Sequence, residues 1–275
     1  MNVWGQLNRL SEARLVVAQR AARVAAQLAR SYEGAVVYRE KGRRDLVTLA
    51  DHRAQEWIRK EIGESFPEDG FLGEEDGDAG VGEALRALRA LGGRVWVVDP
   101  LDGTTNFVHR LPHYCVSIAC FEQGEPWIGV VYDAHREEMF TAVRGGGAFL
   151  GDRRLSVSDC GELEEALVAI SLAAHVDPAS SEVRDLLGLL ARAQAVRRMG
   201  SAALNLAYLA AGRFDAYWAR HGKIWDIAAG VLLVSEAGGV VTGVTGEPLD
   251  WERPHCAAAA TAVLHGELLD AAAGS

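Results

Sequence analysis

The sequence predicts a mixed α+β fold built from two lobes, and three observations carry that expectation. Val95-Trp96-Val97-Val98 is a run of bulky residues without polar alternation, the pattern of a strand buried on both faces. Downstream, Val116-Ser117-Ile118-Ala119-Cys120, Trp127 to Tyr132 and Glu138 to Val143 have the strand composition and short spacing of a meander. The second half alternates strand-like and helix-like segments instead.

The elements follow in order. Ser11 is positioned to cap a first helix that runs to about Arg30, before Gly34. Val17, Ala21, Val24 and Leu28 form its apolar stripe. Its arginines among alanines (Arg9, Arg14, Arg20, Arg23 and Arg30) resemble a transit peptide in composition, but the stripe favours the first helix of the fold. A short strand, Ala35 to Tyr38, precedes a second helix from Thr48 to Glu64, with Ala50, Ala54, Trp57 and Ile62 on one side and Pro67 and Gly70 beyond its end. A Gly- and acid-rich loop, Gly73 to Gly82, leads to a third helix, Glu83 to Leu91. Pro100 is expected to stop the buried strand, and Gly145-Gly146-Gly147 and Gly151-Asp152 to supply turns. Leu167 to Ile170 is then a strand, Val183 to Arg192 a helix, Ser201 to Ala211 a helix stopped by Gly212, and Phe214 to Ala219 a strand. Asp226 to Ala237 is a helix capped by its own Asp and ended by Gly238-Gly239. A seam near Gly147 to Asp152 divides the chain into lobes 1–150 and 151–275, which are expected to share a cleft.

Composition narrows the function. With 275 residues, 49% hydrophobic and 24% charged, the chain is neither disordered nor a coiled coil. A net charge of −10 argues against coating a nucleic-acid backbone. If the ligand is a phosphate, metal ions are the obvious source of positive charge. The four cysteines form no C-x-x-C pair, which points away from zinc or a disulfide framework and towards buried reduced thiols in the cytoplasm. The uncharged stretch Met199 to Gly212 is too short to span a membrane, and no basic region followed by an apolar one opens the chain as a secretory signal would.

The most informative segment is Asp99-Pro100-Leu101-Asp102-Gly103-Thr104-Thr105-Asn106-Phe107. Asp99 lies at the carboxyl end of the buried strand, where open α/β sheets place ligands. Pro100 turns the chain so that Asp102 returns beside Asp99, and two such carboxylates repel unless a proton or cation lies between them. Hard oxygen ligands of this kind suit Mg²⁺ or Mn²⁺, while Gly103 and Thr104 offer backbone N–H groups to an anion. A turn whose carboxylates merely cap the following residues is the plainer alternative. The acids Glu68, Asp69, Glu74, Glu75, Asp76 and Asp78 equally describe a solvated loop, and Asp226 in Trp225-Asp226-Ile227-Ala228-Ala229-Gly230 equally describes an N-cap.

Taken together and in this order, these segments resemble the inositol monophosphatase family of metal-dependent, lithium-sensitive phosphatases. Gly42 to Asp51, Leu72 to Glu75, Trp96 to Phe107, Gly129 to Leu150, Gly200 to Asp215 and Trp225 to Gly239 all look like family blocks. The resemblance implies a layered αβαβα sandwich, usually a homodimer, with two or three Mg²⁺ ions in the cleft. It implies metal ligation by the side chains of Glu74, Asp99, Asp102 and Asp226 and by the Leu101 carbonyl. It implies that Asp51 polarises the Thr104 hydroxyl beside the attacking water, with Glu74 also serving that water. Gly103 and Thr104 match the phosphate-cradling amides, and Gly200, Ser201 and Ala202, with Asp102 and Asp226, match the substrate side. One metal activates water and a second stabilises the leaving oxygen.

The implied reaction is hydrolysis of a small sugar or polyol phosphomonoester, inositol 1-phosphate first and fructose 1,6-bisphosphate second. A family-shaped regulatory binding protein is the rival from another class. Two positions depart from the family. Ala219 stands where inositol-handling members usually carry a Glu that holds ring hydroxyls, and Ile170-Ser171-Leu172-Ala173 replaces a T-G-F-P loop. Arg220 and His221 follow Ala219 and suit either a more anionic substrate or a solvated turn. Thr105-Asn106-Phe107 lacks the Lys of relatives that hydrolyse phosphoadenosine phosphate.

Overall fold

The computed structural model describes residues 3–33, 38–42, 45–77, 81–83, 85–86 and 92–273, without the side chains of residues 3–10, 38–42 and 45–48. The strand expected over 35–38 and the helix over 83–91 fall largely outside the described residues.

Two sheets organise the chain. The first has the order β3-β4-β5-β6-β7-β8-β9, formed by β3 (Gly70–Gly73), β4 (Arg94–Asp102), β5 (Cys115–Glu122), β6 (Glu125–Asp133), β7 (Glu138–Val143), β8 (Gly147–Leu150) and β9 (Arg153–Arg154). Only β3 and β4 are parallel within it. The β8–β9 hairpin crosses the expected seam, so the first sheet continues past residue 150. The second has the order β11-β10-β12-β14-β13, from β10 (Leu167–Ser171), β11 (Ala195–Arg197), β12 (Ala216–Ala219), β13 (Val240–Thr242) and β14 (Cys256–Ala259). A separate hairpin pairs β1 (Tyr38–Gly42) with β2 (Asp45–Thr48).

Seven helices are described: α1 (Val3–Ser31), α2 (Leu49–Ser65), α3 (Thr104–Val108), α4 (Ser181–Arg192), α5 (Ala202–Ala210), α6 (Ile224–Glu236) and α7 (Ala262–Ala273). They stack with the sheets in five layers. Alternate residues of β4, Trp96 and Val98, face α1 and α2, whereas Val95 and Val97 join the core with α5 and α6. The same middle helices cover Tyr217, Ala219 and Ala258 of the second sheet, whose other face packs Trp218 and Ala257 against α4 and α7. The chain is therefore the layered αβαβα sandwich, and the unalternating apolar run of β4 has its physical cause: helices cover both faces.

Several local expectations are corrected. Ser11 does not cap α1, which starts at Val3 and runs through Gly5; Ser11 is buried within it. The face of α1 that is buried is Ala18, Ala21, Ala22, Ala25, Ala26 and Ala29, while Val17 and Val24 flank it. Small side chains there let α1 approach α2 and the sheet closely. On α2 the buried apolar position is taken not by Trp57, which is half-buried, but by Ile58 beside it. Pro100 does not end β4: the ladder skips from Asp99 to Asp102 through a bulge, where a residue without an N–H is tolerated. Cys160 is partly exposed, whereas Cys115, Cys120 and Cys256 are buried free thiols.

Two contacts set α6 against the first sheet. A Cβ at Gly129 would lie 2.9 Å from the Ala229 carbonyl oxygen, so only glycine lets α6 lie this close to β6. Ser117, the cross-strand partner of Asp99, donates its hydroxyl to the Trp225 carbonyl at 3.0 Å. Together they bring the first turn of α6 over the carboxyl end of β4.

Candidate active site

Four carboxylates converge where β4, the β3 turn and α6 meet. Asp99 and Asp102 come from the bulged end of β4, Glu74 from a 3₁₀ turn directly after β3, and Asp226 from the first turn of α6. Asp99 is buried, and its Oδ1 accepts the Leu101 N–H at 2.9 Å. Burial pushes its carboxyl well above the usual range, and the negative charges of Glu74, Asp102 and Asp226 push it further. Asp226 is raised the same way, by burial and then by Asp102 and Glu74.

Asp102 is pushed up to about 6 by burial, held back by hydrogen bonds from Ser201, Ala203 and Ala202. Its Oδ2 accepts the Ser201 hydroxyl and the Ala203 N–H, each at 2.7 Å. Asp226 is the third residue of α6 rather than its cap, and its Oδ2 accepts the Lys223 N–H at 3.0 Å. Among the described residues no three Asp, Glu, His or Cys groups already close around an ion. N–H and O–H donors instead anchor individual carboxylate oxygens, local ones at Asp99 and Asp226 and distant ones from α5 at Asp102, which holds mutually repelling groups at the same end of the sheet.

The loop acids divide by role. Asp69 is held by Arg14 at 3.0 Å and by the Trp96 indole N–H at 3.0 Å, and Asp76 pairs with Arg59. Gln55 fixes the turn, accepting the Glu75 N–H at 2.9 Å and donating to Asp76 at 3.2 Å. Among these acids Glu74 lines the cleft. Glu68 is exposed, and Asp78 falls outside the described residues.

Beside the carboxylates, the Thr104 Oγ1 stands 3.0 Å from Asp51 Oδ1 and 3.2 Å from the Leu101 carbonyl oxygen. A hydroxyl has one proton to give, and the buried carboxylate of Asp51 is the stronger acceptor. Gly103, at φ +103°, turns the chain from β4 into α3; a Cβ there would lie 3.0 Å from the His113 carbonyl.

Gly200, Ser201 and Ala202 lie behind Asp102. Ser201 is buried, and its hydroxyl caps α5 by accepting the Leu204 N–H while donating to Asp102. Asn106, to which sequence reasoning attached no role, donates to the His113 carbonyl at 2.6 Å and to the Met199 carbonyl at 2.8 Å. It thereby ties the β4–α3 turn to the segment that carries Ser201. The donor set of carboxylates and a main-chain carbonyl, raised together by like charge, fits hard divalent cations such as Mg²⁺ or Mn²⁺. Replacing Ser201 by Ala removes a bond that lowers the Asp102 proton affinity, so cation binding should weaken about 10- to 100-fold and move to higher pH. Mn²⁺ titrations of both proteins between pH 6 and 8 would reveal it; unchanged affinity would show that Ser201 only caps α5.

A cavity of about 800 Å³ opens over this end of the sheets, lined by Glu74 and Asp226 together with Trp225, Leu172, Trp251 and His255. Ala219 is fully buried at the end of β12, between Ser171 of β10 and Cys256 of β14. Arg220 and His221 line the cavity, so the solvated-turn alternative describes them incompletely.

Comparison with known proteins adds the following. The model of the inositol monophosphatase family matches residues 10–274. A Rhizobium meliloti protein named inositol-1-monophosphatase is 44% identical over 217 residues, 76% of this chain and 77% of its own. A Pseudomonas aeruginosa protein named Nus factor SuhB is 42% identical over 254 residues, 90% of this chain and 91% of its own. The crystal structure of extragenic suppressor protein SuhB from Bartonella henselae superposes with a TM-score of 0.84 at 37% identity, covering 94% of this chain and 98% of that one.

Proposed function

Since this chain belongs to the inositol monophosphatase family, we propose that it hydrolyses a small sugar or polyol phosphomonoester with divalent cations, inositol 1-phosphate being the first candidate. The observation that carries the reading is the group Asp99, Asp102, Asp226 and Glu74: burial and like charge raise the proton affinity of the three aspartates, and Glu74 and Asp226 stand on the wall of a cleft. Glu74, Asp99, Asp102, Asp226 and the Leu101 carbonyl would hold two or three Mg²⁺ ions. When bound, the cations neutralise phosphate charge that an acidic protein otherwise repels and make water a nucleophile near neutral pH.

The chain's own residues supply positioning and proton control. With its proton given to Asp51, the Thr104 oxygen keeps lone pairs free to accept a hydrogen bond from water and aim it at phosphorus. Glu74, on the cleft wall, would be the second carboxylate to serve that water. The Gly103 and Thr104 amides orient the phosphate oxygens, so that positioning and electrostatics carry the barrier reduction. Gly200, Ser201 and Ala202 belong to the substrate side of this reading, and the Ser201 hydroxyl and the Ala202 and Ala203 amides also hold the carboxylate of Asp102. A homodimer, lithium inhibition and a cytoplasmic setting belong to the same reading; among the described residues no helix is long and apolar enough to cross a membrane.

Thr104→Ala is expected to lower kcat about 10²- to 10⁴-fold with Mg²⁺ affinity unchanged, because it removes the water's orienting group but no ligand. Steady-state kinetics beside Mn²⁺ titration would separate these effects. The reading as a whole is tested by Mg²⁺-dependent phosphate release from inositol 1-phosphate, fructose 1,6-bisphosphate and phosphoadenosine phosphate in parallel. Release from either of the first two supports it. No release from any, with cation bound, favours a regulatory binding protein, the reading suggested by the name of the Pseudomonas relative.

A further inference from the structure

Two sets of side chains with opposite charge line the cavity. Glu74, Asp226 and Glu252 are one; Arg220, Lys223 and Arg253, with the imidazoles of His221 and His255 that become positive on protonation, are the other. The second set comes from two loops, one joining β12 to α6 and one preceding β14, whose His221 and His255 rings lie 6.1 Å apart. These groups act on a common point: His255 is harder to protonate than usual, first through burial and then through His221, Arg220 and Arg253, with Glu247 opposing. Neighbouring acids offset part of this charge. Asp185 holds Arg220, Glu182 lies 4.0 Å from His221, Asp250 lies 3.4 Å from Arg253, and Arg86 engages the lining Glu252 at 2.9 Å. At His255 the positive groups still prevail, on a chain whose net charge is −10. Ala219, small and buried, contributes no carboxylate to this wall.

We propose that this rim is a subsite for a second anionic group, so that among the sugar and polyol phosphates the site hydrolyses, those carrying a phosphate or carboxylate besides the scissile phosphate bind more tightly than monophosphates such as inositol 1-phosphate. The proposal rests on the hydrolase reading for its orientation: the scissile phosphate goes to the carboxylates and their cations, the second anion to His221, Arg253 and His255. The cavity of about 800 Å³ is at the roomy end of small-molecule sites and accommodates both groups.

The matched pair fructose 1-phosphate and fructose 1,6-bisphosphate isolates the second phosphate. Binding is measured by titration calorimetry with Ca²⁺ in place of Mg²⁺, which does not depend on turnover, and KM is measured with Mg²⁺. The bisphosphate is expected to bind about tenfold or more tightly than the monophosphate. The preference should fall to about one in a His221→Ala, Arg253→Ala, His255→Gln variant, with kcat on fructose 1-phosphate retained. His221→Ala with Arg253→Ala alone, both exposed positions, should remove part of it without affecting folding. Equal affinities in the native protein, a preference that survives both variants, or no binding of either compound would overturn the proposal. A preference that holds in Ca²⁺ without phosphate release in Mg²⁺ would keep the subsite and overturn the hydrolase reading.

Discussion

Replacing Asp99 by Asn is expected to reduce phosphate release at least about 10³-fold while making the metal-free protein more stable. Both effects come from one charge. Asp99 is buried at the end of β4, and Glu74, Asp102 and Asp226 all raise its proton affinity. Without cations the ionised folded state therefore carries repulsion that the unfolded chain relieves. Asparagine keeps the shape and an oxygen to accept the Leu101 N–H, so the bulge should survive. A gain of about 1–3 kcal/mol corresponds to roughly 3–10 °C in Tm for a chain of this size. Thermal melts in EDTA at pH 8 and phosphate assays in Mg²⁺ read the two effects. A variant that is less stable in EDTA, or that keeps its activity, would remove Asp99 from the proposed role.

The stabilisation that Mg²⁺ confers should be near zero at pH 5 and several degrees at pH 8. Asp102 titrates at about 6 in the folded protein against a usual 3.8, and Asp99 and Asp226 are also raised. A carboxyl raised on folding stabilises the folded state below its unfolded value, and that stability is lost as pH rises through the folded value. Asp102 alone costs the metal-free protein about 3 kcal/mol once both states are ionised. Cations bind the ionised folded carboxylates and reverse the loss, so the interval between Mg²⁺ and EDTA melting curves widens with pH. His113, His255 and His265, which burial makes harder to protonate, act in the opposite sense below about 6.5. They contribute equally with and without Mg²⁺ and cancel in the difference. An interval that is constant or narrows from pH 5 to pH 8 would contradict cation binding by these acids.

Much of the architecture was legible because its signals are local. The unalternating Val95 to Val98 reflects two covered faces, and the glycines at 145–147 and 151 mark the hairpins of the first sheet. Asp99 and Asp102 were legible for the same reason, since both sit in one strand end. The less legible features depend on partners distant in sequence. Ser11 looks like a cap only while residues 3–10 are taken as coil. Pro100 looks like a stop unless β5 is known to bridge the bulge. Asp226 could not be told from a cap until Ser117 and Gly129 fixed how α6 crosses the sheet. Ser201 matched the substrate side of the family, and nothing in the sequence showed that its hydroxyl also serves Asp102 across 99 residues of chain. Asn106 lay inside the most informative motif, yet its partners at His113 and Met199 carry no sequence mark. Arg253 and His255 join the cavity only because their loop leads into β14 beside β12.

The central claim is that water attacks phosphorus at this carboxylate cleft with the help of divalent cations. It is tested most directly by hydrolysing inositol 1-phosphate in ¹⁸O-enriched water with either Mg²⁺ or EDTA. The account predicts release only with Mg²⁺, with a single ¹⁸O in the phosphate and none in the inositol. Release that persists in EDTA, or label in the inositol, would contradict it.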